Sequence, residues 1–233
     1  MPRTLAIGDV HGCSAALRAL IAAIELQPSD TLVMLGDYVD RGPDSKGVID
    51  FLLELRSRCR LVTLQGNHEL MMLAATEDRG EDAFWQRFGG LETLESYGET
   101  FADVPETHWD FIKGCLPYFE TPTHFFVHAN YHPLLPLSET GEDKLFWSHL
   151  DGHAIPSPHT SGRTAIVGHT AQRSGEILDG GHVICLDTYC HGSGWLTALD
   201  VENRQFWQAN RDGQLRSLEP MFLPPLVKRS EKA

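Results

Sequence analysis

Three times within the first 75 residues, a short apolar run ends in a knot of glycine and polar residues and then gives way to a helical stripe. Leu5-Ala6-Ile7 runs into Gly8-Asp9-Val10-His11-Gly12, and Leu32-Val33-Met34-Leu35 into Gly36-Asp37-Tyr38-Val39-Asp40-Arg41-Gly42. Leu61-Val62-Thr63-Leu64 leads to Gly66-Asn67-His68-Glu69. Apolar runs this short, bounded by turn residues, read as buried strands. Between them, Leu17, Leu20, Ile21 and Ile24, then Val48, Phe51, Leu52 and Leu55, recur at helical spacing. This alternation predicts an α/β fold with a parallel sheet built from βαβ units. Each polar knot then lies at the carboxyl mouth of a strand, where open α/β sheets bind ligands.

The pattern continues less regularly. Residues 76–120 read as helices, with Phe84, Trp85, Phe88, Leu91, Leu94, Tyr97, Trp109, Phe111 and Ile112 as core or cap packing. Two further strands, His124–Val127 and Thr164–Val167, end in His128-Ala129-Asn130 and Gly168-His169-Thr170. The intervening segment 131–163 is rich in proline, serine and glycine and too long for an ordinary connection, so it reads as a lid or specificity segment. His182–Leu186, Trp195–Val201 and Arg204–Gln208 read as antiparallel strands, with a hairpin turn at Glu202-Asn203. Residues 224–233 read as a charged, frayed tail. The length suits one domain over residues 1–233.

A formal net charge of −13, with no basic stripe, argues against nucleic acid as a partner. The five cysteines (Cys13, Cys59, Cys115, Cys185, Cys190) are odd in number and lack CxxC spacing, which suits a reducing compartment and no disulfide framework. The first strand begins almost at Met1, leaving no room for a signal peptide, and no apolar stretch approaches the ~18 residues that span a bilayer. A cytoplasmic chain with no membrane partner is expected.

Charged groups at the end of a buried strand are costly unless something compensates them. Asp9, His11, Asp37, Asn67, His128 and His169 form a set of carboxylate, imidazole and amide groups without a thiolate. Such ligands suit manganese, iron or zinc. Six are too many for one metal with an open position but divide well between two, and two metals roughly 3.5–4 Å apart clamp the attacking and leaving oxygens of a phosphoryl displacement. One carboxylate must then bridge them. Asp37, on the central strand, is the choice.

The motifs GDVHG (8–12), GDYVDRG (36–42), GNHE (66–69), the strand ending in His128, and GHT (168–170) together resemble the PPP family of metal-dependent serine/threonine phosphatases. That family lies within the calcineurin-like metallophosphoesterases, and the compact bacterial and phage-type members are most similar in style. The resemblance implies an αββα sandwich with mixed sheets and two divalent metals, manganese first, with iron or zinc as alternatives. It implies Asp9, His11 and Asp37 on one metal and Asp37, Asn67, His128 and His169 on the other. A water between the metals would attack phosphorus directly. His68 matches the general acid, Asp40 would orient its imidazole, and Arg41 would hold phosphate oxygens. The implied substrate is a phosphoserine or phosphothreonine protein or peptide, phosphotyrosine included; the alternative is a diadenosine-polyphosphate hydrolase of the same superfamily.

Three positions depart from the family pattern. Gln65 stands where members often carry arginine, Trp147-Ser148-His149 replaces a Trp-x-Arg, and Ala129 replaces a glycine. His149 or Arg163 is therefore expected to substitute for a second phosphate-binding arginine. Every catalytic position is filled, against a catalytically dead binding module. No cysteine precedes an arginine at Cys-x5-Arg spacing, and no GxxxxGK[ST] occurs, against thiol phosphatase and P-loop chemistry. His108, His124, His132, His153, His159, His182 and His191 are expected to be ordinary polar residues.

Overall fold

The computed structural model describes residues 2–150 and 155–224. Strands β1 (Thr4–Ile7), β2 (Thr31–Met34) and β3 (Arg60–Thr63) run parallel, with Ile7 opposite Met34 and Met34 opposite Thr63. Helices α1 (Ser14–Ile24) and α2 (Ser45–Leu55) make the crossovers between them. On the other side of β1, β9 (Leu196–Asp200), β10 (Gln205–Ala209) and β11 (Met221–Phe222) add antiparallel neighbours. The six-stranded order is β11-β10-β9-β1-β2-β3. A second sheet joins β4 (Tyr118–Glu120), β5 (His124–Val127), β6 (Thr164–Val167), β7 (Leu178–Asp179) and β8 (Val183–Cys185) in the order β4-β5-β6-β8-β7. Both sheets are mixed.

Side chains alternate across a strand, so each apolar run serves two cores. Leu5, Ile7, Leu32 and Met34 pack with Leu17, Leu20, Ile21, Leu52 and Leu55 of the helices. Their neighbours Ala6, Val33 and Leu35, with Leu199 of β9 beside them, face the second sheet, against Phe126, Ile166 and Ile184. Burial on both faces explains why these runs are continuously apolar rather than alternating. Each fully buried Leu or Ile contributes about 1.5–3 kcal/mol.

Between β3 and β4 lie α3 (Asn67–Ala75), α4 (Arg79–Trp85), a π-type turn (Gln86–Gly90), α5 (Leu91–Tyr97) and α6 (Glu106–Lys113), as the apolar spacing predicts. The last strands need a correction. β9 and β10 form the expected hairpin, but β8 pairs parallel with β6 in the other sheet, register Ile184 to Ile166. The segment following β5 is packed: Tyr131, Leu137, Leu145, Phe146 and Leu150 cover the outer face of the second sheet against Phe125, Val127, Val167 and Val183. Among the described residues of this segment the helical pieces are short turns, Leu137–Glu139 and Asp143–Trp147. Residues 151–154 and, apart from Pro224, the expected tail lie outside the described residues. No described helix is long and apolar enough to cross a membrane.

Candidate active site

The parallel strands bring their carboxyl ends together around one side chain, Asp37. It follows β2 after Gly36 and takes a left-handed conformation (φ 51°). His11, Asp40, Arg41 and His169 share that rare conformation, at φ 43°, 72°, 67° and 62°. Strained backbone persists where the surroundings over-determine it, and it concentrates at working sites. Here Glu69 is the fastener: its buried carboxylate accepts N–H bonds from Asp37 (2.9 Å), Tyr38 (2.7 Å) and Gly66 (3.0 Å), tying the loop after β2 to the loop after β3. Gly66 is obligatory, because any side chain there would overlap the Asp37 carboxylate.

Three imidazoles point bare nitrogens inward. Nδ1 of His11 donates to the Val39 carbonyl (2.9 Å) and Nδ1 of His128 to the Leu35 carbonyl (2.8 Å), which assigns the lone pair of each ring to Nε2. His169 is reversed: Nε2 donates to the Trp147 carbonyl (3.1 Å), leaving Nδ1 free. His11 Nε2 lies 3.5 Å and His128 Nε2 3.4 Å from the two Asp37 oxygens. Oδ1 of Asn67 lies 3.0 Å from both His128 Nε2 and His169 Nδ1. His11 Nε2 accepts a hydrogen bond from Arg41 Nη1 (2.9 Å), whereas among Asp37, Asn67, His128 and His169 acceptors face acceptors with no proton between them. They repel one another unless a cation sits among them, and the donor set is the oxygen and imidazole chemistry of a divalent metal. Two groups of ligand atoms within mutual reach result, His11/Asp37/His68 and Asp37/His128/His169, and Asp37 belongs to both.

The electrostatics agree. Burial, reinforced by the neighbouring imidazoles, pushes His11 and His128 below the usual histidine range and His169 down to about 3. All three are therefore neutral and ligand-competent at neutral pH. Asp9 is pushed well up by burial and by the nearby carboxylates Asp187 and Asp37. Its oxygens accept the His169 N–H at 3.0 and 3.1 Å. His68 goes the other way. Burial lowers it, but Asp37 and Asp40 outweigh burial and hold its proton more tightly than usual.

The loop carrying Asp40 and Arg41 is fixed from behind. Asp40 is fully buried and accepts hydrogen bonds from His68 Nδ1 (2.6 Å), Trp85 Nε1 (2.8 Å) and Thr93 Oγ1 (2.8 Å). The backbone N–H of Arg41 donates to the Gly89 carbonyl (3.2 Å), and its Nη1 donates to His11 Nε2 (2.9 Å). Beside these groups opens a cavity of about 300 Å³ lined by Asp37, Arg41, Asn67, His68, Met71, Phe84, Phe88, Trp147, His149 and His169.

Over residues 2–192 the chain matches the family described as calcineurin-like phosphoesterase. The chain belongs to that family. Proteins similar to it include symmetrical bis(5'-nucleosyl)-tetraphosphatases. The one from Pseudomonas putida (strain GB-1) is 41% identical over 137 residues, 58% of this chain and 45% of that protein. The one from Pectobacterium carotovorum subsp. carotovorum (strain PC1) is 49% identical over 72 residues, 30% of this chain and 25% of that protein. In these two matches the chain spans a quarter to about half of the relative's length. Among solved structures, a candidate diadenosine tetraphosphatase superposes with TM-score 0.66 at 23% identity, covering 85% of this chain and 90% of that one. A cold-active protein tyrosine phosphatase gives TM-score 0.62 at 18% identity, covering 93% and 78%. At these identities the likeness establishes the α/β phosphoesterase fold with two mixed sheets.

Within this calcineurin-like phosphoesterase, Asp9, His11, Asp37, Asp40, Arg41, Asn67, His68, His128 and His169 come together from five strand ends. His149 also reaches the cavity, its ring stacked on His169 at 4.4 Å. Arg163 does not. Its guanidinium pairs with Glu120 (2.7 Å) and the Thr121 carbonyl, beside a different cavity, so the expectation of a substitute clamp there is corrected. Arg41 is the one arginine or lysine that lines the site cavity among the described residues.

Several site residues escape the sequence reading. Asp187 is buried beside Asp9 and pushed up to about 6 by burial and by Asp37; its only sequence signal is its place just after the apolar run of β8. His191, expected to be an ordinary polar residue, packs edge-on against His11 with centroids 4.8 Å apart. Trp85 and Thr93 touch the site through Asp40, and nothing in their spacing sets them apart; Glu69 closes the GNHE motif, but its role in holding the Asp37 loop is seen only in the fold.

Proposed function

We propose that this chain hydrolyses the phosphoanhydride bridge of a dinucleoside tetraphosphate at a two-metal centre. The observation that supports the chemistry is the sharing of Asp37 between two clusters of potential ligand atoms, His11/Asp37/His68 and Asp37/His128/His169, with Asp9 taken in place of the protonated His68 as a ligand of the first ion. Support for the substrate class comes from the relatives named symmetrical bis(5'-nucleosyl)-tetraphosphatase.

In this reading Asp9, His11 and Asp37 hold one divalent ion, and Asp37, Asn67, His128 and His169 hold the other; manganese suits these ligands, as do iron and zinc. Such a pair supplies charge neutralisation at the phosphate and a lowered pKa for water. Arg41 reaches the cavity with a planar fork suited to two phosphate oxygens. Nδ1–H of His68 is committed to Asp40, so the proton available to a leaving oxygen is the one on Nε2. Hydroxide, formed by loss of a water proton to solvent, would add to phosphorus as the bond to the bridging oxygen breaks; the proton on His68 Nε2 would pass to that oxygen, and solvent would return a proton to the neutral His68.

Phosphoserine, phosphothreonine or phosphotyrosine proteins are the second reading, resting on the Tyr38-Val39-Asp40-Arg41 run. Measuring kcat/KM on diadenosine tetraphosphate beside phosphopeptides separates the two. The proposal expects the dinucleotide to be favoured by about tenfold or more; preference for the phosphopeptides would reverse it.

A further inference from the structure

The site cavity has one wall that phosphate chemistry does not use. Phe84 and Phe88, four residues apart on α4 and the π-type turn, present their rings side by side at 4.8 Å and 48°. They line the same cavity as Asp37, Arg41 and His68, yet remain 45% and 42% exposed. From spacing alone they read as core or cap packing, like their neighbour Trp85. In the fold only Trp85 is core. Large apolar rings left open beside a working site mark a binding surface.

The wall is held in register with the phosphate-binding loop. Between the two phenylalanines, Trp85 turns inward and donates to Asp40, which in turn accepts from His68. One residue after Phe88, the Gly89 carbonyl accepts the Arg41 N–H, and Gly89 takes φ 111°. Any side chain at Gly89 would strike Arg41. The chain segment that carries the two rings is therefore tied directly to the backbone of Arg41 and to the Asp40–His68 pair. Trp147, 40% exposed, and His149 also line this cavity.

We infer that Phe84 and Phe88 form a stacking wall for the nucleobase of the substrate, an inference that rests on the dinucleotide reading above. A polyphosphate chain offers nothing for two phenyl rings to bury. A purine offers a flat face on which one ring can stack while the second, tilted by 48°, meets it at an angle, so the pair contacts more of a fused bicycle than of a single tyrosyl ring. Stacking on aromatic side chains tolerates any base, so the wall selects nucleotides as a class.

The test compares binding of ADP and of inorganic pyrophosphate to the manganese-loaded protein by calorimetry, in the unaltered chain and in Phe84→Ala/Phe88→Ala. Pyrophosphate carries the diphosphate without the nucleoside, so the ratio of the two dissociation constants reads the nucleoside, and its change on removal of the rings reads their contact with it. The expected result is a drop in ADP preference of about tenfold in the double variant, with Phe84→Tyr/Phe88→Tyr retaining it. A ratio unchanged within about twofold overturns the wall. Should the double variant fail to fold, photolabelling of the unaltered protein with 8-azido-ADP decides: label within residues 79–90 supports the wall, and label elsewhere overturns it. Absence of diadenosine tetraphosphate turnover by the unaltered protein overturns the substrate reading and the wall with it. Normal turnover with an unchanged ratio removes the wall alone.

Discussion

Nδ1 of His68 donates to Oδ2 of Asp40 across 2.6 Å, in a place where neither side chain meets solvent. The contact fixes the orientation of the imidazole and, with Asp37, overcomes burial to raise the proton affinity of His68. Burial by itself would push the Asp40 carboxyl up; the hydrogen bonds from His68, Thr93 and Trp85 act against it. A carboxylate behind a working histidine sets both its direction and its charge.

Asp40→Asn should therefore do two things. It should cut kcat by about 10–100-fold, as losses of such supporting groups typically do. It should also move the alkaline limb of the kcat–pH profile to lower pH. The sign follows from the role: the acid form of His68 is lost as pH rises through its pKa, and removing the Asp40 charge lowers that pKa. Steady-state kinetics across pH check this, and an unmoved limb would contradict the assignment.

Glu69 holds the architecture. Glu69→Ala leaves the N–H groups of Asp37, Tyr38 and Gly66 in the interior without an acceptor. At roughly 1–3 kcal/mol for each unsatisfied group, partly relieved by relaxation, the expected loss is about 3–5 kcal/mol. Urea unfolding measures it; a loss under about 1 kcal/mol would show that another group carries the loop.

How far the sequence reveals this site depends on which residues follow a recognisable strand. Asp9, His11, Asp37, Asn67, His128 and His169 each come just after an apolar run whose length alone identifies a strand, so their convergence follows from topology. Asp187 also ends a strand, but β8 is three residues long, and Val183-Ile184-Cys185 does not encode whether it pairs parallel or antiparallel. Its sheet membership is decided by contacts distant in sequence. Phe84, Trp85 and Phe88 are indistinguishable by type and spacing. Only the fold decides that Trp85 meets Asp40 while the other two face the cavity. Arg163 fails as a clamp for a similar reason, because its partner Glu120 comes from a strand forty-three residues away in sequence.

Away from the site, Asp30 anchors the start of β2. It accepts from Arg3 Nη2 (2.6 Å) and from the Gln27 N–H (2.9 Å). Burial pushes its carboxyl up, but these donors prevail and its pKa lies below the ordinary value. A carboxylate depressed on folding contributes stability above its unfolded pKa, about 3.9, and loses it as pH falls through the folded one. Asp30→Asn should thus cost about 1–3 kcal/mol at neutral pH. The cost should be clearly smaller in acid, near about pH 2. Unfolding curves at the two pH values read the difference, and a pH-independent cost would contradict the linkage.

The most direct test counts metal. After loading with manganese and removal of the excess, elemental analysis of the unaltered protein and of Asp37→Ala gives the number of ions bound per chain. Two ions in the unaltered protein, with both lost or severely weakened in the variant, is the predicted result, since one carboxylate reaches both groups of ligands. An Asp37→Ala protein that is folded and still carries two ions would contradict the shared centre on which the rest depends.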